Sequence, residues 1–415
     1  MIVRKILSLL ILMMPILLLF PTIGQFPFPP ASPYSDLVIT HFPNAVFIRN
    51  SLATWNEIPL WSNTILSGYP FAANPLSGLW YLPGWLAIIL PIPFGFNLLI
   101  CLHLLVGGLG LYLFLRSENL SPIAALAGAV SFELMPKIFA HYAAGHVTLI
   151  YAFSWTPWLL LVEKKRIYSN KPGWYHVLPG TILGMIILAD VRWSAYAGIL
   201  WVGYSLYAYS NLDKQFIWSF GIIKKSGLWF LSLLCQILIS ILIASPLLFP
   251  FLEFIQLSTR NFLSPADVIS LSLPPGKLLG LFIPNFWGYA ETVLYQGEFS
   301  ILILIFILII PALRKKHIFW LSAVFFSLIL SLGSNVPIIR SFFLLPGINM
   351  LRVPSRFLLI MGVSFSVLLA SGLEYLINPP DEKSLPKIAG LFLMGISSLI
   401  CFLSIGVWFV GGSPS

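Results

Sequence analysis

The residues best suited to chemistry lie in a polar segment, residues 24–80, that interrupts an otherwise strongly apolar chain. Asp36 is the first acidic residue of the sequence, and Glu57 is the next. A sugar or phosphate that reacts at a membrane surface needs carboxylates and hydroxyl groups held outside the lipid, so Asp36 is the first candidate for a reactive group. The alternative is a helix-capping or solvated loop carboxylate. Acidic residues are scarce in this chain, which favours the functional interpretation.

His41 follows Asp36 in a stretch of largely apolar residues. Pro43 lies within that stretch, and proline removes a backbone donor inside a helix. We therefore expect Pro43 to prevent any long helix and to leave short amphipathic pieces along the membrane surface. These pieces would hold Asp36 and His41 at the boundary between lipid and water, and we predict that His41 binds the substrate there.

His141 and His146 form a second polar cluster, close to Glu133 and Lys137. The two histidines are five residues apart, whereas a spacing of three or four places two ligands on one face of a helix. The spacing therefore indicates a metal site only weakly, and we predict none. The histidines are either polar anchors at the membrane surface or groups that bind a substrate hydroxyl or phosphate.

Arg352 and Arg356 lie where an apolar segment begins near the far end of the chain. They are four residues apart, so an early helix start would place them on one face, and Pro354 suits the first turn of that helix. Two guanidinium groups beside the free N–H groups of a helix start would bind a phosphate well. The alternative is contact with lipid headgroups.

The elements that position these residues are transmembrane helices. The chain of 415 residues is 58% hydrophobic and 9% charged, whereas about a quarter of the residues in a soluble domain are charged. The apolar segments are apolar on all sides, which favours helices over the alternating strands of a membrane barrel. We predict an all-α, polytopic transmembrane helix bundle with about eleven spans. The spans are a first helix ending near Phe20, then 96–115, 121–140, 146–162, 176–190, 193–211, 227–250, 299–313, 318–332, 357–377 and 388–410.

This layout makes residues 1–415 a single integral membrane domain with long extracytoplasmic loops at 24–95, 251–298 and 333–356. Residues 79–92 are apolar but short, so we expect an interfacial segment. The predicted inner side holds 15 of the 23 Lys and Arg residues, in agreement with the positive-inside rule, and the N-terminus is cytoplasmic. The net charge of +9 therefore reflects topology and does not indicate a nucleic-acid partner.

Three segments carry a resemblance to a known family. Residues 55–75 (WNEIPLWSNTILSGYPFAANP), 145–159 (GHVTLIYAFSWTPWL) and 351–357 (LRVPSRF) resemble, in order, the YfhO-type bacterial membrane proteins. That family is similar in architecture to the GT-C fold of membrane glycosyltransferases. The resemblance implies a protein of the bacterial cytoplasmic membrane with an extracytoplasmic active site.

The resemblance also implies a reaction. The donor would be a lipid-linked sugar on polyprenyl phosphate, and the acceptor an extracytoplasmic surface glycan, teichoic acid or protein. Asp36 would deprotonate the acceptor hydroxyl as it attacks the anomeric carbon with inversion, and Arg352 and Arg356 would neutralise the leaving lipid phosphate. Many such enzymes have an acidic pair where this chain has Asp36 alone. This departure from the family pattern argues against a metal-assisted mechanism, so we assign no cofactor, and a divalent metal stays an open alternative.

Two other functions remain open, a transporter or flippase of lipid-linked intermediates and a non-catalytic membrane assembly partner. A transporter should place ionisable residues in the middle of its spans. His103 and Glu133 are the clearest examples here, and their scarcity favours chemistry at the membrane surface.

Overall fold

The computed structural model describes residues 10–13, 34–65, 67–169, 173–212, 220–258, 264–284, 286, 289–345, 347–379, 390 and 393–398. No strand occurs among these residues, and the one isolated bridge among them pairs Ser62 with Tyr69. The predicted all-α class is therefore confirmed. Most of the predicted first helix and of the predicted span 388–410 lies outside the described residues.

The described chain contains α-helices connected by loops and 3₁₀ turns, with the longest connections between α1 and α2 and between α11 and α12. In chain order they are α1 (Phe42–Trp55), α2 (Leu86–Ile89), α3 (Ile92–Ser117), α4 (Pro122–Glu133), α5 (Pro136–Ala143), α6 (Val147–Ser154), α7 (Thr156–Tyr168), α8 (Leu178–Ala189), α9 (Val191–Leu212), α10 (Phe220–Gln256), α11 (Pro265–Val268), α12 (Glu298–Ile309), α13 (Pro311–Lys316), α14 (Ile318–Ser331), α15 (Pro337–Phe343) and α16 (Phe357–Ile377).

Four helical segments of the described chain are long and apolar enough to cross a membrane: Phe94–Ser117, Pro122–Ala143, Gly227–Gln256 and Pro354–Ile377. Helices α8, α12 and α14 are apolar but shorter. These long apolar helices support the prediction of a membrane protein. The predicted interfacial segment contains only a 3₁₀ turn and the short helix α2.

The chain divides into two compact units. Unit 1 comprises Met1–Leu12, Leu115–Ala140 and Val268–Ser415, and unit 2 comprises Met13–Phe114 and His141–Asp267. Each unit thus combines segments that are distant in sequence.

Helix α16 forms the centre of unit 1, where it packs against α4, α12 and α14. Every residue from Phe357 to Gly372 is buried, as expected for a helix that is apolar on all sides and surrounded by other helices. Gly128 of α4 lies so close to α16 that an added Cβ would be 2.8 Å from the Ser366 carbonyl oxygen. Small residues of this kind allow close approach of helices in membranes.

Unit 2 is built around α7, α8, α9 and α10. Gly180 and Gly184 of α8, four residues apart, face α10, and a Cβ on Gly180 would lie 2.5 Å from the Gln236 carbonyl oxygen. In the apolar part of α10 only 22% of the residues are buried, against 89% for α16. Exposed apolar side chains of this kind mark contact with lipid or with another protein.

The segment after Asp36 is one continuous helix, so the expectation that Pro43 would break it was wrong. Leu37–His41 form a π-helical turn in which the Phe42 N–H donates to the Leu37 carbonyl, and α1 follows directly. Pro43 occupies the first turn of α1, where its missing N–H removes no bond of the α-helix. The buried face of this helix comprises Leu37, His41, Ala45, Ile48 and Ser51.

Candidate functional site

The backbone at Asp36 is fixed by the turn between α5 and α6. The Asp36 N–H donates to the Ala144 carbonyl at 3.1 Å. Gly145, with φ of +80°, lies directly against this contact, and an added Cβ would be 2.4 Å from the Leu37 nitrogen. Only glycine combines that positive φ with so close an approach of two backbones. Two segments more than a hundred residues apart in sequence are thereby joined.

The Asp36 carboxylate has no structural role in the helix that it precedes. It stands at the N-cap of the π-helical turn but makes no capping hydrogen bond with its side chain. The side chain is 36% exposed, and its Oδ2 lies 3.6 Å from His146 Nε2. The helix-capping alternative is therefore excluded, and an accessible carboxylate faces an imidazole.

His141 and His146 are brought together by a break in the helix. Helix α5 ends at Ala143 and α6 begins at Val147. The two histidines therefore do not lie on one continuous helix, and the rule that ligands should be three or four residues apart does not apply to them. Their Nδ1 atoms are 2.8 Å apart, and both side chains are buried. At this distance one Nδ1–H donates to the other Nδ1.

Asp190 anchors the neighbouring start of α9. Its Oδ1 accepts from the backbone N–H groups of Arg192 and Trp193 at 2.8 and 3.2 Å. The Arg192 guanidinium binds both carboxylate oxygens at 3.0 and 2.6 Å, and the Thr148 hydroxyl donates to Oδ2 at 2.9 Å. This buried carboxylate therefore caps a helix and fixes α6 to α9.

His41 lies close enough to Asp190 and Arg192 for their charges to affect its pKa. Burial lowers the pKa of His41 from 6.5 to about 3, with the Arg192 guanidinium and His146 adding to the decrease while Asp190 and the Leu76 carbonyl oppose it. His41 is therefore neutral near pH 7. It can hydrogen-bond a hydroxyl group, but it does not supply a positive charge to a phosphate.

A cavity in unit 2 opens beside His41. Its empty volume is about 440 Å³, including the space at its open mouth. Its polar lining comes from His41, Ser77, Tyr81, Thr148 and Tyr151, and the remainder is apolar or glycine. His41 Nε2 and the Tyr151 hydroxyl are buried and have no hydrogen-bond partner among the described residues. A ligand that enters would meet an apolar wall and neutral polar groups.

His103, expected from the sequence to be an ionisable residue in mid-span, is part of a completed hydrogen-bond chain. Its Nδ1–H donates to the Leu99 carbonyl at 2.8 Å, which makes Nε2 the acceptor for the Tyr81 hydroxyl at 2.6 Å. The Tyr81 oxygen in turn accepts from Trp155 Nε1 at 2.7 Å. His103 therefore has a structural role beside the cavity.

Unit 1 holds the two predicted arginines in different environments. Arg356 is buried, and its Nε and Nη2 donate to Glu291 Oε1 at 3.1 and 2.9 Å. Arg352 is half-buried and precedes Val353, whose φ of +64° is not helical and separates Arg352 from the helix that follows. A 3₁₀ turn at Pro354–Arg356 follows, and α16 begins only at Phe357. The expectation of a shared helical face was therefore wrong, although Pro354 does open the first turn.

A buried lysine completes the unit 1 cluster. Lys137 Nζ donates to the backbone carbonyls of Glu291 and Ala290 at 2.7 and 3.4 Å and is fully buried. Glu133, one turn earlier, is also fully buried, and neither of its carboxylate oxygens has a hydrogen-bond partner among the described residues.

The sequence did not identify Thr148, Tyr81 or Tyr151 as members of the site. Each lies in an aromatic and apolar stretch in which a single hydroxyl is no signal. Asp190 was visible as an acid beside an arginine, a pattern that does not show which other segments it joins. Comparison with protein-family models, with curated proteins and with solved structures gave no match to this chain.

Proposed function

We propose that the protein is a membrane glycosyltransferase that moves a sugar from a polyprenyl-phosphate donor to an extracytoplasmic acceptor, with Asp36 as the general base. The observation that carries the proposal is the state of the Asp36 carboxylate. It is partly exposed, its side chain makes no capping hydrogen bond, and its Oδ2 lies 3.6 Å from His146 Nε2. A positioned carboxylate of this kind is what proton abstraction from a hydroxyl needs.

The reaction follows from these roles. Asp36 takes the proton of an acceptor hydroxyl while that oxygen attacks the anomeric carbon of the sugar. The bond from the anomeric carbon to the phosphate oxygen breaks, the configuration inverts, and the polyprenyl phosphate leaves with the electron pair. The acceptor carries the sugar, and the proton stays on Asp36 until water removes it.

The cavity beside His41 suits a neutral sugar or acceptor. His41 is uncharged near pH 7 because of its lowered pKa, and the cavity that it lines offers hydroxyl groups and an apolar wall. In this proposal the leaving phosphate is bound by an arginine. The sequence-based candidates for this role are Arg352 and Arg356, and Arg356 also binds Glu291.

The membrane arrangement that accompanies this function has about eleven spans in a GT-C-like bundle. The N-terminus is cytoplasmic, and loop 24–95 lies outside the cytoplasmic membrane. The distribution of Lys and Arg supports this orientation. It is tested by placing one cysteine at the exposed Glu57 in a variant without native cysteines. Labelling by an impermeant maleimide added to intact cells is expected, and labelling only after lysis would contradict it.

The decisive experiment measures sugar incorporation from polyprenyl-phosphate donors by membranes that contain the wild type or Asp36→Asn. Loss of a general base should lower the rate by about 10²- to 10⁴-fold. Glu57→Gln is the matched control, since Glu57 is an exposed acid of the same loop, and its rate should equal that of the wild type. Equal rates for Asp36→Asn and the wild type would exclude the proposed base.

One observation favours a transporter of lipid-linked intermediates as the second candidate. Glu133 and Lys137 are fully buried within the candidate span Pro122–Ala143, and buried ionisable groups in spans mark ion or substrate pathways. Vesicles containing Glu133→Gln would then lose translocation of a fluorescent polyprenyl-phosphate lipid, while Asp36→Asn vesicles would keep it. Translocation by the wild type at the rate of protein-free vesicles would exclude this candidate.

A further inference from the structure

We propose that His141 and His146 bind a divalent transition-metal ion through their Nδ1 atoms, with Asp36 as the carboxylate that orients His146. The binding itself is independent of the proposed function. Only the use of the metal in sugar transfer rests on that function.

The distance between the two imidazoles suits two ligands of one metal. Metal–imidazole bonds are about 2.0–2.1 Å long, so two Nδ1 atoms 2.8 Å apart would subtend about 86° at the metal. This is the angle between neighbouring ligands in octahedral or square-planar geometry, and a movement of about 0.5 Å would give the tetrahedral angle that Zn²⁺ prefers.

The carboxylate of Asp36 is on the correct side of His146. Its Oδ2 lies 3.6 Å from Nε2, the ring nitrogen opposite the one that faces His141. Metal-binding histidines generally donate their second N–H to a carboxylate or carbonyl, which fixes the tautomer and the ring orientation. Asp36, His146 and the metal would form this arrangement after a small closure of the 3.6 Å gap.

The backbone already holds the pair in place. The His146 N–H donates to the His141 carbonyl at 3.0 Å, and the Gly145 N–H donates to the Tyr142 carbonyl at 2.9 Å. The turn also fixes Asp36 through the Ala144 carbonyl. All three side chains therefore start from backbone positions that a metal would not have to reorganise, which lowers the cost of binding.

Metal binding requires both Nδ1 lone pairs. Without metal one Nδ1 carries the proton shared in the 2.8 Å hydrogen bond. That proton must move to the Nε2 of the same ring or leave to solvent when the metal enters. At low pH the histidines hold their protons, so metal affinity should rise with pH.

Imidazole ligands favour Zn²⁺, Cu²⁺, Ni²⁺ and Co²⁺ over Mg²⁺ or Ca²⁺. Two protein ligands leave the other coordination positions to water or to a substrate oxygen, as in catalytic rather than structural sites. A metal there would lower the pKa of a bound hydroxyl group or bind a phosphate oxygen.

The test uses the full-length protein purified with a tag free of histidine, stripped with chelator and titrated with Zn²⁺ against a chromophoric competitor. One equivalent should bind, and bound Cu²⁺ should show two imidazole ligands in pulsed EPR. Asp36→Asn should weaken Zn²⁺ binding about 10- to 100-fold, and His141→Ala or His146→Ala should weaken it more. His176→Ala, an exposed histidine of unit 2, is the matched control and should bind as the wild type.

A replacement ligand guards against misfolding as the cause of any loss. His146→Cys keeps a zinc ligand at that position, so it should bind Zn²⁺ more tightly than His146→Ala does. Equal Zn²⁺ affinity of the wild type and the double variant His141→Ala/His146→Ala would overturn the proposal. A wild type inactive in sugar transfer that still binds Zn²⁺ through these residues would contradict the proposed function alone.

Discussion

The junction between Gly145 and Asp36 allows a quantitative prediction for Gly145→Ala. A φ of +80° costs a residue with a side chain about 1–2 kcal/mol. The new Cβ would also lie 2.4 Å from the Leu37 nitrogen and 3.0 Å from the Asp36 nitrogen, so the two backbones must separate. Separation breaks the Asp36–Ala144 hydrogen bond, which contributes about 0.5–1.5 kcal/mol. We expect the free energy of unfolding to fall by about 1.5–3.5 kcal/mol.

The measurement is the free energy of unfolding of the purified protein, followed by tryptophan fluorescence. Gly198→Ala is the matched control, because Gly198 lies in α9 of the same unit with open space around its Cβ position. That variant should gain up to about 1 kcal/mol from the better helix propensity of alanine. Gly145→Asn separates the two contributions, since asparagine tolerates a positive φ but retains the clash.

The result that would refute this reasoning is an unfolding free energy for Gly145→Ala equal to that of the wild type. A full recovery of stability by Gly145→Asn would show that the close approach of the backbones contributes nothing. Either result would mean that Asp36 is not held by this turn.

Three further changes probe the same unit. His41→Gln should flatten the pH dependence of stability. In the folded wild type the pKa of His41 is about 3, below the usual 6.5, so the stabilisation is present above pH 6.5 and falls by about 2 kcal/mol as the pH is lowered to 5. Tyr81→Phe removes the hydroxyl between the buried His103 and the half-buried Trp155, and the loss of a partner for both groups should cost about 2–4 kcal/mol. Asp190→Ala removes a helix cap and the carboxylate that binds the partly buried Arg192 guanidinium, which should cost about 3–5 kcal/mol.

Each of these variants has an exposed counterpart measured in the same unfolding experiment. His176→Gln, Tyr289→Phe and Asp267→Ala alter exposed side chains and should change stability by less than about 1 kcal/mol. A wild-type pH profile for His41→Gln, or losses for Tyr81→Phe and Asp190→Ala no larger than those of their counterparts, would contradict the respective assignment.

Much of the helical architecture could be predicted from the sequence, because a segment that is apolar on all sides has few alternatives to a helix. The positions of helices such as α9 and α16 follow from this rule. Pro43 shows where the rule stops. A proline breaks a helix where its missing N–H would have donated a helical hydrogen bond, and Pro43 lies in the first turn of α1, just after the π-helical turn, where the α-helix needs no such bond.

The candidate site was only partly predictable. Asp36, His41, His141 and His146 were identified by residue type, yet the spacing of the two histidines argued against a joint site. Spacing arguments assume a continuous helix, and Gly145 ends that continuity by adopting a φ of +80°. Contacts such as that of Asp36 with the α5–α6 turn depend on tertiary packing, which no local pattern encodes.

The buried acidic residues differ in whether a nearby arginine accounts for their burial. Of the four buried acids among the described residues, Glu163, Asp190 and Glu291 each bind an arginine, which offsets much of the cost of burying a charge. The carboxylate oxygens of Glu133 have no hydrogen-bond partner among the described residues. Asp36 differs from all four, because it is partly exposed and faces an imidazole. An unexplained carboxylate at the surface suits chemistry, and one inside a span suits translocation, so these two residues separate the two candidate functions.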